Sequence, residues 1–312
     1  MTRRMALPLV ALATALGLAW APSLGAQARQ TPQFGTGIEI INLSLSVTDP
    51  RNNFVTDLGQ KDFAVFEDGI RQDLTLFTHE NLPISMVLMI DCSASMEEKL
   101  KTAQAAAIRF TKILRPQDLA QVVQFNDRAT TLQPFTNDLG SLETAIQKTE
   151  AAGPTALHNA LYVALKDLMR DKKAAELRRR AIVLLSDGED TASLVSDDQV
   201  LELARKSEIN IYAISQRQNR PQDRLRQAFS QAEYLVSTLT RETGGRAYFP
   251  NSIGELDQVY DRIAEELRTL YSIGYVSSNA RRDGKWRRIV VRVPEREGLT
   301  IRHKLGYYAP AS

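Results

Sequence analysis

One run constrains this chain more than any other: Ile84-Ser85-Met86-Val87-Leu88-Met89-Ile90 is almost continuously apolar, and it ends on Asp91-Cys92-Ser93-Ala94-Ser95. An apolar run without period-two alternation suits a strand buried on both faces of a parallel sheet. Directly after it, Leu100, Ala103, Ala107, Phe110 and Ile113 recur at spacings of three and four, the stripe of an amphipathic helix. A buried strand feeding a helix is one half of a β-α-β unit, and weaker copies follow. Strands are expected at 120–125, 181–185 and 209–215, with an edge strand at 130–134. Helices are expected at 156–169 and 197–206, and a longer helical pattern runs over 224–242 and stops at Gly244-Gly245. A short strand at 246–249 precedes a last helix marked by Leu256, Val259, Ile263, Leu267 and Leu270. This alternation predicts right-handed crossovers and an α/β fold, a doubly wound and mostly parallel sheet over residues 83–270.

Both flanks read differently. Ile41, Leu43, Leu45 and Val47 alternate with Asn42, Ser44 and Ser46, the pattern of a half-buried strand. Phe63, Val65, Leu74 and Leu76 continue in that style around Glu67-Asp68-Gly69, where Asp-Gly marks a hairpin turn. After the α/β region, Ile273 and Tyr275, then Ile289, Val291 and Val293, then Ile301, His303 and Leu305 suggest three strands, with Asp283-Gly284 as a turn. Neither short β segment can bury a face alone. Residues 38–82 and 271–312 are therefore expected to pair into one small discontinuous β domain.

The N-terminus reads as an export signal, from which a location outside the cytoplasm is expected. Arg3 and Arg4 precede an apolar run from Met5 to about Ala21, and Ala26-Gln27-Ala28 supplies small residues at the spacing of a cleavage site. Residues 1–28 read as a secretory signal peptide, not a membrane anchor, and 29–37 as a linker of Pro, Gly and polar groups. Cleavage would remove two Arg and no acid, turning 39 basic and 37 acidic side chains into 37 of each. A formally neutral mature chain with no transmembrane span argues against nucleic acid as a partner. The single cysteine rules out an intrachain disulfide framework and any Cys-rich zinc module.

In an open α/β sheet, ligands bind beyond the C-terminal ends of the strands. Three loops meet at that edge with oxygen-bearing side chains. The first carries Asp91, Ser93 and Ser95, the second Thr155 in Gly153-Pro154-Thr155, and the third Asp187 in Ser186-Asp187-Gly188-Glu189-Asp190. Carboxylates and hydroxyls are hard ligands, suited to Mg²⁺ or Ca²⁺ and poor for zinc. Each loop alone is weak, because Ser and Asp are common in turns and helix caps, and Ser93 and Ser95 could simply cap a helix starting near Met96. The coincidence of three loops favours a metal.

On these residues the region 83–270 resembles the von Willebrand factor type A domain, a Rossmann-like fold with a metal-ion-dependent adhesion site. Asp91–Ser95 followed by Met96 is similar to the family's first metal loop, Thr155 in Gly-Pro-Thr-Ala-Leu to the second, and Asp187 in Leu-Leu-Ser-Asp-Gly to the third. Ala94 stands where many members carry Gly, and no ligand oxygen is lost. Val47-Thr48-Asp49, the segment from Asp62-Phe63 to Glu67-Asp68-Gly69, and the terminal Gly306-Tyr307-Tyr308 are similar to secreted bacterial proteins of the Acidobacterial-type VWFA-related group. The resemblance implies that Ser93, Ser95 and Thr155 ligate Mg²⁺ directly, with Ca²⁺ or Mn²⁺ as alternatives, while Asp91 and Asp187 reach it through water. It implies a secreted or periplasmic binding protein whose metal takes a carboxylate from a protein partner.

Other groups fit less active roles. Cys92 reads as a small buried filler; His158 as partly exposed helix surface that could approach the metal crevice; Glu189 and Asp190 as rim residues or a solvated loop. The Arg178-Arg179-Arg180 run and the Arg217–Arg226 cluster read as solvated faces. Two rival functions remain. One is a Mg²⁺-dependent hydrolase, for which no general base is evident beyond Asp187, Glu189 and Asp190. The other is an envelope-complex component whose metal only locks the loops.

Overall fold

The computed structural model describes residues 40–79, 82–170, 178–186, 190–215 and 231–311. The first flank supplies β1 (Ile40–Thr48), β2 (Ala64–Glu67), β3 (Ile70–Gln72) and β4 (Leu74–Thr78). The α/β region follows with β5 (Ile84–Asp91), α1 (Leu100–Thr111), β6 (Leu119–Phe125), β7 (Ala129–Thr136), α2 (Leu139–Gln147) and α3 (Leu157–Arg170). It continues with β8 (Arg179–Ser186), α4 (Asp197–Lys206), β9 (Ile209–Ser215), α5 (Gln231–Glu242), β10 (Ala247–Tyr248) and α6 (Leu256–Thr269). The second flank adds β11 (Tyr271–Val276), β12 (Trp286–Arg292), β13 (Thr300–Arg302) and β14 (Gly306–Tyr308).

The central sheet has the order β10-β9-β8-β5-β6-β7, parallel except for the edge strand β7, which runs antiparallel to β6. All eight residues of β5 are buried, as its unbroken apolar run requires. Alternate residues of this strand serve opposite cores. Met86, Leu88 and Ile90 pack with Phe110 of α1, Leu142 of α2 and Tyr260 and Ile263 of α6. Val87 and Met89 pack with Leu161 and Leu165 of α3, Val200 of α4 and Leu239 of α5. The chain thus builds a doubly wound layer with helices on both faces. The helix α2 is absent from the sequence reading; it is nucleated by Asp138, whose carboxylate accepts the amides of Gly140 and Ser141.

Gly244-Gly245 ends α5 as expected, and the reason is close approach. A Cβ on Gly245 would lie 1.9 Å from the carbonyl oxygen of Ile211 on β9. Residues 216–230, which include the whole Arg217–Arg226 cluster and the start of the expected 224–242 helix, lie outside the described residues.

The flanking strands form two antiparallel sheets, each drawing on both flanks: β13-β1-β11-β4 and β14-β12-β2-β3. The two share one core, in which Leu43, Leu45, Ile273 and Tyr275 of the first meet Val65, Ile289, Val291 and Tyr307 of the second. Strands β11 and β12 therefore belong to different sheets, so Asp283-Gly284 lies in a crossing connection and not in a hairpin. The sequence reading also has one strand where β13 and β14 are separate. Among the described residues no helix is long and apolar enough to cross a membrane.

Arg179 departs from the solvated role expected of its run. It is 3% exposed, and its guanidinium donates to the carbonyl oxygens of Leu267, at 3.0 Å, and Leu270 where α6 ends. Burial pulls its pKa down to about 10. Cationic donors at a helix C-terminus meet the orphan carbonyls and the negative end of the macrodipole.

Candidate functional site

The strand order reverses direction at β5, whose neighbours β6 and β8 lie on opposite sides, and Asp91 closes the C-terminal end of β5 at this switch point. Its carboxylate is 0% exposed. Oδ1 accepts the amide of Ser93 at 2.9 Å, and Oδ2 accepts the hydroxyl of Ser186, the last residue of β8, at 2.5 Å. One loop and the end of the adjacent strand thus fix both carboxylate oxygens.

The two serines after Asp91 do not cap α1. Ala94–Met96 forms a single 3-10 turn whose N-cap residue, Ser93, makes no side-chain cap hydrogen bond, and α1 begins only at Leu100 behind Lys99. Instead the hydroxyl oxygens of Ser93 and Ser95 face each other at 3.0 Å. The helix-cap alternative for Ser93 fails on this geometry.

The second loop is zipped onto the first. Gly153 has φ +76°, in the left-handed region that glycine tolerates, and its carbonyl accepts the amide of Ala94 at 2.9 Å. The amide of Ala152 donates to Cys92 O at 2.8 Å, and Asn126, the residue after β6, braces the loop by donating to Ala152 O at 3.0 Å. Thr155, buried, follows immediately and precedes α3. Its amide donates to the Thr191 hydroxyl at 3.1 Å, and its carbonyl accepts the amides of Thr191 at 2.8 Å and Ala192 at 3.1 Å. The segment after the third loop is therefore stitched to the second.

Asp187 and Glu189 lie outside the described residues, as does Gly188. Asp190 is described, and it ties its own loop to α3. Its carboxylate accepts the amide of His158 at 3.1 Å and the hydroxyl of Ser193 at 2.6 Å. His158 itself is half-buried, with Nδ1 3.2 Å from Val195 O and 3.8 Å from the Asp190 carboxylate. Sequence reasoning missed Ser186, Thr191 and Ser193. Ser186 stood in plain view within Ser-Asp-Gly, but nothing in a sequence shows that a strand-end hydroxyl reaches across to a neighbouring strand.

Cys92 belongs to the core beneath α1, with Sγ 3.5 Å from Ile90 O. Burial, reinforced by the neighbouring Asp91 carboxylate, pushes its thiol up to about 12, so it is neither a nucleophile nor a thiolate ligand near neutral pH. Among the described residues no three His, Cys, Asp or Glu side chains converge. What converges is a buried carboxylate and a pair of hydroxyls on one loop, with a buried threonine on the loop zipped to it. A donor set of this kind fits an oxygen-seeking divalent cation and not a thiolate- or imidazole-bound one.

Residues 86–189 match the family model of the von Willebrand factor type A domain. The chain is 29% identical over 127 residues to inter alpha-trypsin inhibitor heavy chain 4 of Mus musculus, a match covering 37% of this chain and 14% of that protein. It is 26% identical over 213 residues to a UPF0353 protein of Mycolicibacterium gilvum (strain PYR-GCK), covering 58% of this chain and 60% of the relative. Both matches thus span less than two thirds of the relative's length. Among solved structures, proximal thread matrix protein 1 from the mussel byssus, with a zinc-occupied MIDAS motif, superposes with a TM-score of 0.50 at 16% identity, over 64% of this chain and 49% of that one. At that identity the likeness establishes the fold.

Proposed function

From the premise that the α/β region of this chain is a von Willebrand factor type A domain, we propose that it is a non-catalytic binding module. In this reading Asp91, Ser93, Ser95, Thr155 and Asp187 hold a divalent cation that receives a carboxylate from a protein partner. The observation that carries it is the first loop: two serine hydroxyls turned to each other at 3.0 Å beside a fully buried Asp91, with the helix-capping role of Ser93 left unused. The zinc named in the mussel protein's MIDAS motif supports a divalent ion at the corresponding edge of this fold. Mg²⁺ is our preferred ion, with Ca²⁺ or Mn²⁺ as alternatives.

The residues divide the work. Ser93, Ser95 and Thr155 offer neutral oxygens, while Asp91, pinned by Ser186, supplies negative charge without needing to move. A bound divalent ion supplies concentrated positive charge, and neutral direct ligands leave much of it to attract an acidic group. His158 and Asp190 belong to the rim, where they hold the third loop against α3. Catalysis finds little support in the described residues: the one cysteine is buried with a raised pKa, and Nδ1 of His158 lies against a backbone carbonyl. We propose further that residues 1–28 direct export to the periplasm or beyond, and that 38–82 and 271–312 form a β domain supporting the module at 83–270.

The test is the interaction of the chelator-stripped protein with an immobilised Asp- or Glu-containing peptide, with Mg²⁺ restored and with EDTA. Binding restored by Mg²⁺ supports the reading, and equal binding in both overturns it. Turnover of a phosphate ester with Mg²⁺ would replace it with the hydrolase reading.

A further inference from the structure

The most exposed large apolar side chain among the described residues is Leu194, at 95% of its full accessibility. A single surface leucine needs no explanation in general. This one differs in how its backbone is held and where it stands. The amides of Leu194 and Val195 both donate to Oδ1 of Asn159 on α3, at 3.1 and 3.0 Å. The preceding Ser193 hydroxyl accepts the amide of Asn159 at 3.0 Å and donates to Asp190 at 2.6 Å. On the other side Val195 packs against the core beneath α3, and Ser196 begins α4 with a reciprocal capping box to Gln199. The chain is thus clamped on both sides of a leucine that points to solvent.

Its position is set by the same stitching that built the site. Ala192, two residues earlier, donates its amide to the carbonyl of Thr155 at 3.1 Å. Chain geometry then keeps the Leu194 Cα within about 14 Å of that of Thr155. An interface of ordinary size, about 800 Å² per partner, covers both. Ordering such a loop on binding would cost free energy; here the hydrogen bonds have already ordered it, so apolar contact at Leu194 adds directly to affinity.

We propose that Leu194 is a second, apolar contact of the docking face, and that the partner segment carries an acidic residue followed or preceded, within about four residues, by an apolar one. This inference rests on the proposed metal-dependent reading of the site. The limit on spacing comes from the reach of an extended chain, about 3.3–3.6 Å per residue, set against a separation of at most about 14 Å. A protein segment is favoured over a lipid surface because the leucine stands alone in a loop held by polar groups, whereas membrane-surface binders use an extended apolar face.

The experiment uses short fluorescent Gly/Ser peptides carrying one Asp and one Leu at spacings from one residue to about six. Anisotropy is read with the full chain in Mg²⁺ and in EDTA. The expected result is Mg²⁺-dependent binding with an affinity maximum at a spacing of about four residues or fewer, and a loss of about tenfold or more in Leu194→Ser that is confined to the leucine-bearing peptides. Native-like unfolding of Leu194→Ser and unchanged binding of the Asp-only peptide separate this from a folding defect. Mg²⁺-dependent binding that ignores both spacing and Leu194 would overturn the inference and leave the metal reading standing. Binding indifferent to EDTA, or none at all, would overturn both. Leu194-dependent association with phosphatidylcholine vesicles in place of the peptides would overturn the protein segment as partner.

Discussion

Glu67 at the end of β2 and Asp91 at the end of β5 are both buried, and their surroundings differ in kind. Glu67, between the flanking sheets, meets a guanidinium: its oxygens accept Arg287 at 3.3 Å, Ser277 at 2.6 Å, Tyr275 at 2.9 Å and Tyr307 at 3.1 Å. Burial and the adjacent Glu67 push the Tyr275 phenol far up, so it stays a donor at any ordinary pH. Asp91, at the switch point of the central sheet, receives among the described residues the hydroxyl of Ser186 and the amide of Ser93, both neutral. Beside it the hydroxyls of Ser93 and Ser95 face one another. A buried acid matched by an arginine and three hydroxyls is a lock between segments far apart in sequence. We propose that an acid pinned by Ser186 and Ser93, with further oxygens beside it, serves instead a cation that comes from outside.

The lock should show the largest effect. Glu67→Ala leaves Arg287 buried without its counter-charge, and denaturant unfolding should show a loss of about 3–5 kcal/mol. Replacing Glu67 and Arg287 together by apolar residues of similar volume should recover most of that loss. If the single substitution is tolerated within about 1 kcal/mol, the flank network is not a lock and the contrast collapses.

Ser186→Ala probes the other side. It removes the donor that fixes Asp91 Oδ2 but no candidate ligand, so metal affinity measured by calorimetry should fall about 10–100-fold. Unfolding free energy should drop by only about 1–2 kcal/mol, the ordinary cost of one lost buried hydrogen bond. A stability loss as large as that of Glu67→Ala, with metal affinity intact, would make the two regions alike.

The smallest effect concerns pH. His303, in the second flank, accepts the amide of Val291 at Nε2, 3.2 Å away, and burial lowers its pKa. Its folded pKa lies below the unfolded value of about 6.5, so the unfolded chain takes up the proton first. Stability should be full above about pH 6.5 and decline as pH falls through the folded pKa. His79, stacked on Tyr271 with ring centroids 4.2 Å apart and lowered by burial, adds to the same trend. The midpoint of denaturant unfolding between about pH 5 and 8 should show it, and His303→Gln should flatten part of the slope. An unchanged slope would remove His303 from the account.

Much of this was legible in the sequence, for reasons that particular residues make clear. The run Ile84–Ile90 predicted β5 because burial on both faces leaves no polar position except Ser85. Thr155 could be placed at a sheet edge because strand and helix periods bracket it. The helix α2 escaped because its apolar face is only Leu142, Ala145 and Ile146, too short a stripe to stand out. The assignment of β11 and β12 to different sheets escaped because alternation specifies a face, not a neighbour. Arg179 looked solvated beside Arg178 and Arg180, since only the folded chain brings the carbonyls of Leu267 and Leu270 to it. In the site, the oxygen-bearing side chains could be named from spacing, but the contacts that hold them, Ser186 on Asp91 and Thr191 on Thr155, are all long-range.

We propose that the loop edge of the central sheet holds a divalent cation. Calorimetric titration of Mg²⁺ into chelator-stripped protein, native and Asp91→Asn, tests it most directly. The account predicts a single site in the native chain and its loss in Asp91→Asn, with both proteins unfolding at closely similar denaturant concentrations. Equal binding by the two, or no binding by a natively folded chain to Mg²⁺, Ca²⁺, Mn²⁺ or Zn²⁺, would contradict it.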